Sequence, residues 1–571
     1  MGRVRTGPTQ RKTRTRKGEN AAKPEPKRFI FLGGIPVFDY MIRVPMEEIS
    51  RATRNRVVTV GPRILLPAGT VFEVRMDHEE EPLYINPMAN RPLQEVHGEP
   101  YFSLEFGGKH PQQYDYTLCG PKARILQELQ AALPDRFQTE EDLRVIRVPE
   151  PAEVHLGGNN KNIIEQIRAL YDSPELAGQA EGFRLEHRFF FDTGDPRFAM
   201  VRELYERLDV DHGTLDEIHV EGLLPRLGYV ITVTMPDGTG QDRIILSNRT
   251  NEEVIPVEKL SRTYFDIEYR LRRDPQFVNT HLVINSMTNH EEMRLVTRLL
   301  QTAYASGVTS YLCPTLTLLK CIDRMLEARY YTTEQERFFE YRKDFLYTAV
   351  IPYIQYMILN RDELIEVDNV VLKKGIDATA SHIAHQMNRG RFADSYEGGK
   401  VLVTGGSQGA RYTERLPRER ALKFWRKAGL PSHMEIRFAD RRIVCGDDYV
   451  TNLTSTLGAG DTFAGIFIGL NALGWDGGHA LRAATLGAQH FIQYRTKPAI
   501  ADMVAVDESH IRMGTETELQ DVISHHIAAS GDPTRYGTIT DTVITILTRQ
   551  IQHPFREILE LERSGMGPRH K

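Results

Sequence analysis

Cysteine is scarce in this chain of 571 residues, and the spacing of the few that occur is informative. The four cysteines lie far apart, without a Cys-x-x-Cys pair or a neighbouring group of histidines; they are Cys119, Cys313, Cys321 and Cys445. Such spacing argues against a disulfide framework and against structural zinc. Long hydrophobic runs are missing too, and the N-terminus lacks the hydrophobic centre of a secretory signal. We therefore expect a soluble protein of the reducing cytoplasm, without a membrane segment.

Neither sign of charge dominates the chain. Lys and Arg total 72 against 77 Asp and Glu, a net charge of -5, so the molecule as a whole has no field that would favour nucleic acid. There is also no internal repeat and no G-x-x-x-x-G-K-[ST] sequence, which argues against a P-loop nucleotide site. Two histidine pairs lack a third ligand nearby in sequence, which argues against metal binding by either; they are His382 with His385 and His525 with His526.

The charge is nevertheless uneven along the chain. Residues 1–28 hold ten Lys or Arg and only two acidic residues, with almost nothing apolar among them. Such a segment cannot bury enough surface to offset the entropy of ordering, which predicts a disordered basic arm. The arm is either a solvated tail or a weak contact for anionic partners such as nucleic acid. A mitochondrial address is a third alternative, although the amphipathic apolar residues of such a signal are missing.

The rest of the chain shows the pattern of an α/β protein. Arg28–Leu32 is continuous and apolar, as a strand buried on both faces should be, and strands and helices alternate after it. Alternation of this kind predicts a mainly parallel central sheet with helices on both faces. We expect one such domain over residues 29–505, with a β-rich insertion or lid over about 45–150 and a lid hairpin over about 229–246. A helical C-terminal extension over 506–571 follows.

One short segment combines small residues with a carboxylate. Gly458, Ala459 and Gly460 come directly before Asp461, where an apolar helical pattern begins. Small residues let consecutive backbone N–H groups, including that of Leu457, converge at a helix start, where the helix dipole adds positive potential. This predicts a site for phosphate oxygens beside a carboxylate that can take a proton from an alcohol. The alternative is a tight turn with Asp461 as an ordinary helix cap.

The stretch Ser455–Asp461 resembles the second motif of the ribokinase or PfkB family of carbohydrate kinases, Asp-Thr-x-Gly-Ala-Gly-Asp. Ser455 stands where the family usually has Asp, and Ile466 stands where a small residue commonly follows Gly465. The resemblance covers residues 29 to about 500 apart from the long insertion. It implies a ribokinase-like fold and transfer of the ATP γ-phosphoryl group to an alcohol group of a sugar or nucleoside-like molecule. In that reaction Asp461 is the general base and Mg²⁺ the cofactor.

Two segments, in the order that the family requires, resemble its acceptor site. Gly34–Asp39 resembles the first strand of the family, in which an Asp five residues after a Gly binds sugar hydroxyls. A carboxylate suits this role because it accepts two hydrogen bonds from a diol. Gly157–Asn162 resembles the family's Gly-Gly motif and implies substrate contacts from Gly158 and Asn162. The alternatives are an exposed strand carboxylate at Asp39 and an ordinary strand-to-helix turn capped by Asn.

Two further segments resemble the nucleotide and metal sites of the family. Asn360 and Glu363 follow a predicted strand and are similar to its Asn-x-x-Glu, which implies that they hold Mg²⁺, commonly through water. The Gly-rich turn after the strand Lys400–Thr404 resembles the element that lines the nucleotide. The nucleotide contacts so implied are Asn360, Thr404, Gly406, Gly409 and Leu457. The alternatives are a capping box at a helix start and an ordinary Gly-rich hairpin.

Two other functions stay open. The first is an ADP-dependent glucokinase or phosphofructokinase, because His219-Val220-Glu221 resembles the His-x-Glu element of the ADP-dependent branch of the same superfamily. The second is a non-catalytic nucleotide- or sugar-binding regulatory protein on a kinase scaffold, suggested by the large insertion, Ile466 and the basic arm. A homodimer is a further possibility, since exposed lid sheets can pair through their edges.

Overall fold

The structure is a computed structural model of the chain. It describes residues 27–34, 36–60, 63–75, 82–86, 94–96, 98–105, 118–149, 152–176, 178–234, 244–247, 251–273, 279–287, 289–330, 335–387, 399–406, 409–416, 439–445, 458–509, 555–556 and 559–560. The predicted basic arm up to residue 26, Leu457 and most of the C-terminal extension lie outside the described residues. The predicted boundary at 505 falls within a helix, Ile500–Ser509.

Strands and helices alternate through most of the described chain. The strands are β1 Arg28–Leu32, β2 Val37–Pro45, β3 Val58–Val60, β4 Arg63–Pro67, β5 Thr70–Val74, β6 Leu83–Asn86, β7 Gln94–Val96, β8 Glu99–Glu105, β9 Leu118–Gly120, β10 Arg144–Arg147, β11 Glu153–Gly157, β12 Arg184–Arg188, β13 Val210–Asp211, β14 Arg226–Thr234, β15 Ile244–Ser247, β16 Thr280–Asn285, β17 Thr309–Cys313, β18 Tyr356–Asn360, β19 Lys400–Thr404, β20 Ala410–Leu416 and β21 Ala439–Cys445. The helices are α1 Met46–Ala52, α2 Lys122–Ala132, α3 Asn159–Tyr171, α4 Phe198–Arg207, α5 Leu215–Ile218, α6 Val257–Arg273, α7 His290–Ala305, α8 Leu316–Tyr330, α9 Gln335–Phe345, α10 Arg361–Val367, α11 Val371–Lys374, α12 Ile376–Gln386, α13 Ala459–Ala472, α14 Gly477–Tyr494 and α15 Ile500–Ser509.

The central sheet has nine described strands in the order β13-β12-β1-β16-β17-β18-β19-β20-β21. All neighbours from β13 to β19 pair in parallel, and β20 near one edge pairs antiparallel with both β19 and β21. Parallel neighbours need crossover connections, and the intervening helices supply them. The predicted mainly parallel α/β sheet is therefore confirmed.

Helices cover both faces of this sheet. Along β1, Phe29 and Phe31 belong to the hydrophobic core that contains residues of α3, α13 and α14. Ile30 and Leu32 point to the opposite core, which contains residues of α6, α7, α8, α10 and α12. Successive strand residues face opposite sides of a sheet, so a strand covered on both faces must be apolar throughout. This explains the continuous apolar run of β1 and confirms the predicted helical layers.

Three smaller sheets account for the predicted β-rich part of the fold. Two of them come from the 45–150 region, in the orders β10-β5-β6-β9 and β3-β4-β8-β7. The third, here called the lid sheet, has the order β11-β2-β14-β15. In it β14 pairs in parallel with β2 and antiparallel with β15, and Asp39 lies opposite His155 on one side and Gly228 on the other.

The packing of α13 explains how the chain accommodates Ile466. Ile466 is fully buried, and a Cβ atom at position 487 of α14 would overlap its side chain. A glycine at 487 thus makes room for the larger residue at 466, which lets α13 and α14 pack closely. In the part of the chain that the structure describes, no helix combines the length and the apolar character needed to cross a bilayer.

Candidate active site

The predicted site residues gather at the carboxyl edge of the central sheet. Asn360 and Thr404 end the adjacent parallel strands β18 and β19, and Asp461 lies in the first turn of α13. Cys313 ends β17, and after burial the charges of Glu363 and Asp461 both raise the pKa of its thiol. The fold thus brings Asn360, Thr404 and Asp461 to one region. This is the edge at which open α/β sheets bind their ligands.

The carboxylate of Asp461 is held by two side-chain amides from α3. Asn162 donates from Nδ2 to Oδ2 of Asp461 at 2.9 Å, and Asn159 donates from Nδ2 to Oδ1 at 3.0 Å. Gly158 precedes α3 with φ 105°, a backbone conformation that favours glycine. This turn starts α3 where both amides can reach the carboxylate. Asp461 and Asn162, predicted as base and substrate contact, are direct partners.

The turn before Asp461 has the open shape that an anion site needs. Gly458 caps α13 in the left-handed region, with φ 81° and ψ 0°, and the ring of Phe491 lies against it, 3.4 Å from where a Cβ would be. A Cβ at Gly460 would meet nothing within 4 Å. Ala459 and Gly460 therefore leave the first N–H groups of α13 uncovered by side chains, and such groups attract anions.

Opposing influences act on the charge of Asp461. Burial raises the pKa of Asp461, whereas the hydrogen bond from Asn162, the charge of Lys497, the hydrogen bond from Asn159 and the charge of Lys161 all lower it. Desolvation disfavours a carboxylate, and donors and cations favour it. The result is a half-buried carboxylate whose pKa is raised overall, although its charged form has hydrogen-bond donors and nearby cations as partners.

Asp39 occupies a slot between two glycines of the lid sheet. A Cβ atom at Gly157 on β11 or at Gly228 on β14 would overlap the Asp39 carboxylate. Burial raises the pKa of Asp39 to about 6, the charges of Lys161 and Arg226 among others lower it, and the charge of Asp461 raises it further. The Asp39 carboxylate lies against Gly157, and Asn159, two positions further along the chain, binds Asp461, so the two aspartates lie on either side of the start of α3.

Asn360 and Glu363 form the capping box that was the alternative interpretation of this segment. The Glu363 backbone N–H donates to Oδ1 of Asn360 at 2.8 Å, and the Asn360 N–H donates to Oε2 of Glu363 at 2.8 Å. Burial raises the pKa of Glu363 to about 7, and the charges of Asp461 and Asp362 act in the same direction. Among the residues described, no three His, Cys, Asp or Glu side chains gather as a metal site requires.

The turn between β19 and β20 places the predicted nucleotide contacts. Thr404 pairs with Ala410, and the N–H of Gly405 donates to the carbonyl of Gly409 at 2.7 Å. Gly406 and Gly409 have φ of 59° and 73°, so a hairpin-like turn requires glycine at both. The turn stands beside Asn360, because β18 and β19 are neighbours in the sheet.

Several residues at the site were not predicted from the sequence. Ser286, directly after β16, has φ 35° and donates from Oγ to Oδ1 of Asn159 at 2.9 Å. This bond orients the Asn159 amide so that its Nδ2 faces Asp461. Lys497 and Gly228 were missed as well. Asn159 could have been predicted as a site residue, because it lies within the Gly157–Asn162 segment that resembles the family motif.

His219 and Glu221, which resembled the His-x-Glu element of the ADP-dependent branch, lie in the segment that follows α5. His219 follows α5 and is exposed, and its Nδ1 accepts from Oγ of Thr193 at 2.9 Å. Its backbone forms an isolated bridge with Phe191. Glu221 is exposed. These contacts belong to the loop after β12.

Fold and site together define an α/β protein in which the lid sheet and the carboxyl edge of a mainly parallel sheet each place an aspartate near the start of α3. No family model and no curated protein sequence matches this chain. Solved structures do. They include adenosine kinase from Anopheles gambiae, with 12% identity, a TM-score of 0.42 and coverage of 82% of this chain and 98% of that one.

Two further similar structures come from microbes. Nucleoside kinase from Methanocaldococcus jannaschii, an archaeal member of the ribokinase family, has 10% identity, a TM-score of 0.41 and coverage of 85% of this chain and 99% of that one. Phosphofructokinase-2 from Escherichia coli has 12% identity, a TM-score of 0.40 and coverage of 84% and 98%. These likenesses cover almost the whole of each solved structure, at identities of 10–12% and TM-scores of 0.40–0.42.

Proposed function

We propose that this chain is a PfkB-type carbohydrate kinase, a phosphotransferase that moves the γ-phosphoryl group of ATP to a hydroxyl of a sugar or nucleoside-like molecule. The observation that carries the proposal is the carboxylate of Asp461. It lies in the first turn of α13 beside the open Gly458–Gly460 turn, and two amides of α3 hold it. A base and an anion-binding helix start are thus adjacent, as phosphoryl transfer to an alcohol requires.

Each predicted site residue has a role in this reaction. Asp461 takes the proton of the attacking hydroxyl, and the N–H groups from Leu457 to Gly460 stabilise charge on the transferred group. Asp39, Gly158 and Asn162 orient the acceptor. Positioning and electrostatic stabilisation supply most of the catalysis in phosphoryl transfer. The lid sheet, which carries Asp39, would keep water from competing as acceptor.

Mg²⁺ and the nucleotide would occupy the neighbouring part of the edge. Glu363 fits a divalent cation, because no cationic side chain forms an ion pair with its half-buried carboxylate among the described residues and carboxylate oxygens are ligands that Mg²⁺ accepts. A bound cation would favour the ionised form of this carboxyl, whose pKa burial raises to about 7. Asn360 and Glu363 would hold the ion, commonly through water. Mg²⁺ supplies neutralisation of phosphate charge. Thr404, Gly406, Gly409 and Asn360 would contact the nucleotide.

A test of the proposal measures nucleotide turnover by the purified chain with ATP or ADP and a panel of sugars and nucleosides. We expect turnover with one acceptor class and a loss of about 10²- to 10⁴-fold in kcat for Asp461→Asn, with nucleotide affinity retained. Asp172→Asn is the matched control, because Asp172 is an exposed residue at the far end of α3. Full activity of Asp461→Asn would exclude Asp461 as the base.

The same assay separates the alternatives. Turnover with ADP and not with ATP would assign the chain to the ADP-dependent type. Nucleotide binding by calorimetry without turnover on any acceptor would favour a non-catalytic regulatory protein and would overturn the proposed function.

A further inference from the structure

A lysine after α14 reaches the start of α13. Lys497 donates from Nζ to Oγ1 of Thr462 at 3.1 Å, and Thr462 is fully buried and directly follows Asp461. The Nζ atom also lies 4.8 Å from the centroid of the Phe491 ring. In the described part of the chain, Lys497 forms no ion pair within salt-bridge distance. It is therefore a half-buried cation held by a hydroxyl and an aromatic face.

The segment around Lys497 is attached to both helices of the site. The ring of Phe491 that lies beneath Lys497 also packs against Gly458, the cap of α13. The carbonyl of Pro498 accepts a hydrogen bond from Nε2 of Gln166 on α3 at 2.9 Å. Lys497 is thus positioned relative to the helix that carries the base and the helix that carries its two amide donors.

The charges that face Asp461 come from four elements. Lys161 on α3 and Lys497 lower the pKa of Asp461. Asp39 on the lid sheet and Glu363 at the start of α10 are the acidic neighbours. Lys161 is already paired with Glu165 at 2.8 Å, so part of its charge is compensated. Lys497 is the cation of this group that has no carboxylate bonded to it among the described residues.

We propose that Lys497 is a positioning residue, whose ammonium group favours the ionised form of the Asp461 carboxylate and holds the first turn of α13 in place for the anion. This inference rests on the proposed phosphoryl transfer and adds a residue to its site. Withdrawing an ammonium from water without a bonded carboxylate costs free energy. A Met of similar length would fill the same space without that cost, so packing alone does not explain the lysine.

The ionisation of Lys497 agrees with this role. Burial lowers the pKa of Lys497 to about 8, while the charges of Asp461 and Glu165 raise it. The ammonium is therefore mostly protonated near neutral pH and loses its proton as the pH rises through about 8. An arginine at this position would keep its charge far above that pH.

The test compares Lys497→Met with Lys497→Arg in the pH profile of kcat/KM. For Lys497→Met we expect the acidic limb to move up by about 1 pH unit and kcat/KM to fall by up to about tenfold at pH values on that limb, because Asp461 loses a stabilising charge. Lys497→Arg should restore the acidic limb and move any alkaline limb near pH 8 upward. An acidic limb unchanged in Lys497→Met, or an arginine variant that behaves like the methionine variant while melting as wild type does, overturns the inference.

A second measurement does not depend on turnover. The melting-temperature shifts of Lys497→Met, Asp461→Asn and the double variant should be non-additive, because removing either charge changes what the other contributes. Arg495→Met is the control, since Arg495 stacks on the same Phe491 ring at 4.6 Å, and its shift should add to that of Asp461→Asn. Additive shifts for Lys497 overturn the inference, whereas a wild-type chain without turnover on any donor and acceptor overturns the proposed function alone.

Discussion

Asp461 and Asp39 are the same residue type on either side of the start of α3, and their surroundings differ. Asp461 begins a helix and accepts hydrogen bonds from Asn159 and Asn162. Asp39 lies in the middle of a strand, and the two positions beside its carboxylate are glycines. The carboxylate of Asp461 therefore accepts hydrogen bonds from the protein, whereas the carboxylate of Asp39 has open space on both sides because its neighbours are glycines.

This difference suits two different tasks. A base needs partners for its charged form before the substrate arrives, which Asn159, Asn162 and Lys497 provide. An acceptor contact needs room for hydroxyl groups, which Gly157 and Gly228 provide. With fewer partners, Asp39 has its pKa raised by burial to about 6. Burial raises the pKa of Asp461 as well, but there the two amide donors and the charge of Lys497 oppose the effect of burial.

The largest effect that separates the two aspartates is expected from Asp39→Ala. Removing two hydrogen bonds from acceptor hydroxyls to a charged group should lower kcat/KM for the acceptor by about 100-fold or more. The loss should lie mainly in KM of the acceptor, while the affinity for ATP is unchanged. Steady-state kinetics with each substrate varied in turn measures this. A loss confined to kcat would mean that Asp39 belongs to the reacting groups, as Asp461 does.

The amide donors give the next largest effect. Asn162→Ala should reduce kcat about 10- to 100-fold and raise the pKa of Asp461, since each charge-assisted hydrogen bond is worth about 1.5–3 kcal/mol. Asn159→Ala should act in the same direction with a smaller shift. The acidic limb of the kcat profile reports both. If Asn159→Ala leaves that limb in place, the hydrogen bond from Asn159 does not tune the base.

Gly228→Ala tests the space around Asp39. The added methyl group would overlap the carboxylate and push it out of its slot, so KM for the acceptor should rise about tenfold with little change in kcat. Gly178→Ala is the matched control, because a Cβ at Gly178 meets nothing within 4 Å. Equal effects of the two substitutions would show that the slot has no part in acceptor binding.

The sequence predicted the elements of this site better than the contacts between them. Arg28–Leu32 is the predicted strand, and Asp461 and Asn162 lie in recognisable segments with distinct local patterns. Asn162 and Asp461 are 299 positions apart and meet only through tertiary packing. Neither Gly228 nor Lys497 belongs to a sequence motif. Gly228 matters because it has no side chain that would overlap Asp39, and Lys497 matters because it binds the hydroxyl of Thr462, 35 positions earlier in the chain. Local pattern contains no information on either contact.

The smallest predicted effect is the pH dependence of acceptor binding. The pKa of Asp39 is raised to about 6, so the free protein holds a proton on Asp39 below that pH. The protonated form contributes stability that is present below the ordinary pKa of a carboxyl and is lost as the pH rises through about 6. Acceptor hydroxyls donate to the ionised form, so KM for the acceptor should rise as the pH falls below 6, by at most about tenfold per pH unit. Asp39→Asn should abolish this dependence, and a KM that stays flat from pH 5 to 8 in the wild-type chain would contradict the role of Asp39 as an ionised acceptor ligand.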